Sequence, residues 1–151
     1  MHNAVISDTS CLIVLTNIDE LQLLHQLYGE VITTSEVVTE YGASLPEWFK
    51  ILDPTDKGRL KDLEHELDKG EASAITLALE LKDVTIILDD YKARKIAVHL
   101  GLEVTGTLGV MIKARKKGII SSIKPLLSKL KATNFRLSEE LEMLAIKESG
   151  E

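Results

Sequence analysis

Cysteine is almost absent from this chain: of 151 residues, only Cys11 carries a thiol. One cysteine excludes an intrachain disulfide and a thiolate metal cluster, and it argues for a reducing compartment. Cys11 lies in an apolar run and reads as a buried structural thiol. His2, His25, His65 and His99 are scattered without ligand spacing, so nothing points to zinc; the last three fall in predicted helices, at exposed or core-edge positions. Aromatic residues make up 4% of the chain, which leaves few platforms for stacking bases. No apolar run approaches the roughly 20 residues that cross a bilayer. Asp8 interrupts the N-terminal apolar run before a secretion signal develops. A cytoplasmic protein with no membrane partner is the expectation. Repeats, low-complexity tracts and linkers are also missing, so one domain spanning 1–151 is expected.

What is present is unevenly distributed charge. Residues 1–90 carry 6 Lys/Arg against 18 Asp/Glu, a net of −12, whereas residues 91–151 carry 12 against 6, a net of +6. The overall −6 therefore does not exclude a polyanionic partner.

Short apolar runs alternate with helical spacing. Strands are expected at Asn3–Ser7, Glu30–Thr34, Phe49–Leu52, Val84–Leu88 and Glu103–Thr105. Helices are expected from Ser10, through "IDELQLLHQLYG", after Ser35 as N-cap, and through a charged segment ending at Gly70. Further helices follow in "EASAITLALELK", at Tyr91–Leu100, Leu108–Lys117, Ile123–Lys131 and Ser138–Lys147. The repeated strand–helix order calls for an α/β fold: a mostly parallel sheet of about four or five strands, with helices on both faces.

In such a sheet, ligands bind beyond the carboxyl ends of the strands. Asp8 ends the first strand there, Asp89-Asp90 ends "VTIIL", Glu40 follows the second strand, and Glu71 opens the apolar helix. Taken singly, Asp8 and Asp90 read as N-caps, Glu71 as a dipole partner and Glu40 as a solvated acid. Gathered in one crevice, four like charges repel unless a cation joins them. Oxygen ligands and retained waters suit Mg²⁺ or a similar hard divalent ion.

"VISDTSCLI", "SEVVTEY", "GEASAITLALE" and "ILDDYKARKIAVHLGLEVTGTLGVMIKARKKGII" together resemble PIN domains, most nearly a prokaryotic branch related to VapC-type toxin ribonucleases. The likeness extends to "SSIKPLLSKLKATNFRLSEEL", the C-terminal helices within 121–151. It implies a Mg²⁺- or Mn²⁺-dependent endoribonuclease that leaves a 5′-phosphate and a 3′-hydroxyl. It also implies an RNA substrate, a homodimer and a small antitoxin protein that covers the crevice.

By position, Asp8, Glu40, Glu71 and Asp90 are the catalytic carboxylates that the resemblance implies. Asp8, Glu71 and Asp90 hold the metal, Asp89 is a neighbour able to substitute, and Ser10 and Thr107 supply supporting hydroxyls. The chain departs from many relatives in having only Glu103 as an acid between Tyr91 and Ser138, and Leu88 where a hydroxyl is common. A weak or inactive module that binds RNA or a protein partner is the alternative reading. Phosphatases of the haloacid dehalogenase type need a second acid where Ser10 stands, and are discounted. Lys92 and Arg94, with the run Lys113, Arg115, Lys116 and Lys117, are the candidate phosphate contacts; otherwise they form solvated helix faces.

Overall fold

The computed structural model describes residues 4–151. Asn3, expected to open the first strand, and His2 lie outside the described residues. Five strands form one all-parallel sheet in the order β3-β2-β1-β4-β5: β1 (Ala4–Ser7), β2 (Val31–Thr33), β3 (Phe49–Ile51), β4 (Val84–Ile87) and β5 (Glu103–Thr105). The fold is the α/β architecture expected.

Each strand is short and β-branched, and neighbouring residues point to opposite faces. Val5, Val31 and Ile87 enter one core, with α1 (Thr9–Asn17), α2 (Gln22–Tyr28), α7 (Thr107–Lys116), α8 (Lys124–Lys131) and α9 (Glu139–Glu148). Ile6, Ile32 and Ile86 enter the other, with α4 (Lys57–Glu64), α5 (Lys69–Leu81) and α6 (Tyr91–His99). Leu12, Leu15, Leu24 and Leu127 are fully buried in the first core, each contributing about 1.5–3 kcal/mol. On α5, Gly70, Ala72, Ser73, Ala74 and Ala78 are buried, and their small side chains let the helix lie close to the sheet. The sequence expectation of burial holds for Cys11, and His25, His65 and His99 are exposed.

Most elements shift by a residue at an end, and two helix starts differ in their caps. The cap of α3 (Ser35–Tyr41) is Thr34, whose hydroxyl accepts from Val37 N; Ser35 instead donates its N–H and Oγ to Asp53. Gly70 does not end the preceding helix. It is the second residue of α5, because Asp68 caps that helix by accepting from Glu71 N.

The strand order places the site. From β1 the chain winds through β2 to one edge, then returns to β4 and winds to the other edge. The crossover directions therefore diverge between β1 and β4, and a crevice opens at their carboxyl ends. No helix among the described residues is long and apolar enough to cross a membrane.

Candidate metal centre

Asp8 stands where β1 meets β4, with its backbone N–H donating to Ile87 O at 3.3 Å. It is the N-cap of α1: its Oδ1 accepts from Cys11 N at 3.1 Å. Its other oxygen, Oδ2, is buried and has no hydrogen-bond partner among the described residues. A buried, unpartnered carboxylate oxygen is costly to keep ionised. Burial accordingly pushes the Asp8 pKa well up, and the charges of Asp89, Glu71 and Asp68 push it further.

Glu71 sits in the first turn of α5, half-buried, with its pKa pushed up to about 7. Burial is the main cause, followed by the charges of Asp68 and Asp90 and, more weakly, Glu40. Asp90 caps α6 through Oδ2, which accepts from Ala93 N at 3.0 Å, and is otherwise exposed. Asp8 and Asp90 act both as caps and as members of one cluster with Glu71, since each cap uses only one oxygen of its carboxylate.

The remaining acids are engaged differently. Asp89 accepts from Thr107 N at 2.8 Å and from Thr107 Oγ1 at 2.5 Å, which ties the start of α7 to the end of β4. Gly106 permits this approach, since a Cβ there would lie 2.8 Å from Asp89 Oδ1 and 2.6 Å from Arg94 Nη1. Thr107 is fully buried, so its hydroxyl serves Asp89 rather than facing the crevice. Glu40 is exposed, but both of its oxygens are bonded, to Thr9 Oγ1 and Gly70 N. Ser10 is exposed on the wall of the groove, and it is the hydroxyl of its neighbour Thr9 that reaches an acid.

A groove of about 810 Å³ runs from Ser10, Asp89 and Asp90 past Tyr91, Arg94 and Gly106 to Phe135, Arg136 and the α9 residues Leu141, Leu144 and Glu148. Sequence reading misses Asp68, an acid beside Glu71, and the groove residues Tyr91, Phe135 and Arg136. Asp68 was hidden inside a segment read as one helix, although D-x-x-E before an apolar run signals a cap. Tyr91 is distant in sequence from the adjacent pair Phe135 and Arg136, and they come to line one groove only in the folded chain.

The basic run behaves unlike a single stripe. α7 starts at the crevice and runs back along the sheet, so Lys116 and Lys117 are about 14 Å along its axis from Thr107. Lys113 lies over the Tyr28 ring, 4.6 Å from its centroid, and its pKa is lowered by burial and by Lys117. Arg115 pairs with Glu151 at 3.6 Å. Lys92 and Arg94 do lie beside the crevice, in the first turns of α6, with Arg94 Nη1 donating to Leu88 O at 2.8 Å.

No three His, Cys, Asp or Glu side chains among the described residues form a ready-made metal cage. The donor set nevertheless fits a hard divalent cation. It is all oxygen, it includes the orphaned Asp8 Oδ2, and the acids raise one another's proton affinity as a cation-seeking cluster does. No curated protein matches the chain. A family model described as PIN domain matches residues 4–151. PIN domains are generally nucleases and typically use divalent metals. With that match spanning every described residue, and with acids gathered at the β1–β4 switch point, the chain belongs to the PIN-domain family.

Proposed function

We propose that this chain is a Mg²⁺- or Mn²⁺-dependent endoribonuclease, acting in the cytoplasm as the toxin of a toxin–antitoxin pair. The observation that carries the metal-dependent reading is Asp8 Oδ2, buried beside neighbouring carboxylates at the switch point and without a hydrogen-bond partner among the described residues. Asp8, Glu71 and Asp90 would hold the ion. When bound, such an ion lowers the pKa of a water and stabilises charge on a phosphodiester.

The chain's own residues do the rest. Asp89 and Thr107 lock the start of α7 against the β4 corner, which fixes one wall of the groove. Lys92, Arg94 and Arg136 offer positive charge to an RNA backbone that must approach an acidic crevice. Tyr91 is 77% exposed beside Asp90 and supplies a ring on which a base can stack. The exposed Leu141, Met143 and Leu144 of α9 give a homodimer or an antitoxin segment apolar contact.

The test is cleavage of end-labelled RNA by the wild-type chain and by Glu71→Gln, with Mn²⁺, with Mg²⁺ and with chelator. Cleavage should require the ion and fall roughly 100-fold or more in the variant, since even outer-shell partners of metals are worth 10–100-fold. RNA binding without any metal-dependent cleavage by the wild type would replace the enzyme with an inactive RNA-binding module.

A further inference from the structure

We propose that Glu40 is a positioning residue rather than a metal ligand: it fastens the first turn of α5 to α1 and so aims Glu71 at the crevice. The inference rests on the metal-site reading above. Its basis is that one carboxylate joins three helices. Glu40, on α3, accepts from Thr9 Oγ1 of α1 at 2.5 Å and from Gly70 N of α5 at 3.0 Å. The Gly70 N–H is among the first four of its helix, which have no partner within the helix itself. Glu71 is the next residue along.

Gly70 is shaped to this contact. A Cβ at that position would collide with Glu40 Oε1, lie 2.8 Å from Glu40 Cδ and lie 3.0 Å from Thr9 Oγ1. A second clasp holds the other end of α3 to the same turn of α5. Ser73 Oγ donates to Gly70 O at 2.8 Å, and Thr34 Oγ1 meets Ser73 Oγ at 2.7 Å in a buried contact. With α3 held at both ends, the carboxylate of Glu40 is committed to two donors. Glu71, the next residue, is held in the same turn, its N–H donating to Asp68 Oδ1 at 3.0 Å.

The charge of Glu40 and its clasp are separable by substitution. In Glu40→Gln the amide oxygen accepts from Gly70 N–H and the amide nitrogen donates to Thr9 Oγ1, so the clasp survives without the charge. Glu40→Ala removes the clasp. Gly70→Ala displaces the flexible end of Glu40 while leaving every acid in the sequence. Calorimetric titration of Mn²⁺ into the full chain should give Glu40→Gln a Kd within about 3-fold of wild type. Glu40→Ala and Gly70→Ala should weaken binding about 10–100-fold, as lost supports of metal ligands do.

Melting in chelator is the second readout. Ala is a better helix former than Gly, so a Gly70→Ala protein that melts higher and binds Mn²⁺ normally overturns the proposal. So does a Glu40→Gln protein that loses more than about 10-fold in affinity; that result alone decides if the alanine variants fail to fold. Absence of Mn²⁺ binding by the wild type would instead remove the metal-site reading, and the proposal with it.

Discussion

At the scale of single residues, the site is built from groups that serve the fold with one oxygen and the crevice with the other. Asp8, Asp68 and Asp90 each cap a helix through one carboxylate oxygen. The consequence is a pH dependence of unusual sign. In the unfolded chain Glu71 has an ordinary pKa near 4.5, whereas in the folded chain it is pushed up to about 7, and Asp8 moves in the same direction. The folded state therefore binds protons more tightly. The stability these groups contribute is full below the unfolded pKa and is lost as pH rises through the folded one. In chelator, the melting temperature should rise as pH falls from 8 to about 5.5. Asp53, Glu80 and Glu151 have lowered pKa values and act oppositely only at still lower pH. Saturating Mn²⁺ should remove the trend, because it favours the ionised acids. Thermal melts at three pH values decide the matter, and a melting temperature that falls on mild acidification would contradict the coupled-acid site.

At the scale of elements, the direction of a helix outweighs its composition. The run Lys113–Lys117 reads as a phosphate stripe in sequence, but α7 carries it away from the crevice, and Lys113 and Arg115 already face Tyr28 and Glu151. Arg94 and Arg136 line the groove instead. Replacing Lys116 and Lys117 with Ala should leave the salt dependence of RNA binding nearly unchanged. Replacing Arg94 and Arg136 should reduce its logarithmic slope by about 1 per residue. Measuring affinity across a salt series compares the two, and the reverse ranking would move the RNA path to the far end of α7. Period and punctuation made the elements themselves readable in sequence: β5 spans Glu103–Thr105 as expected, and α6 and α9 shift by a residue at their ends. Caps were less readable. Thr34 and Ser35 are both competent caps, and only the competing contact of Ser35 with Asp53 decides between them. Asp68 was obscured because Gly70 resembles a helix stop, when its lack of a Cβ instead admits Glu40.

At the scale of the molecule, strand order brings acids from three separate stretches of the chain together. With β1 and β4 paired at the centre, the residues that follow them, Asp8 and Asp89-Asp90, share one edge, and α5 delivers Glu71 to it. That convergence was legible in sequence because strand–helix alternation implies a parallel sheet, whose functional edge is known in advance. The division of labour within the cluster was not legible. Which carboxylate is orphaned and which is clasped depends on Thr9, Gly70 and Thr107, whose roles emerge only in three dimensions. The most direct test of the account is calorimetric titration of Mn²⁺ into the wild-type chain and Asp8→Asn. Asn is as good an N-cap as Asp, so the variant should keep its fold, melt no lower than wild type in chelator, and lose Mn²⁺ binding. Unchanged Mn²⁺ affinity in Asp8→Asn, or a large fall in its melting temperature, would contradict the account and make Asp8 a structural cap alone.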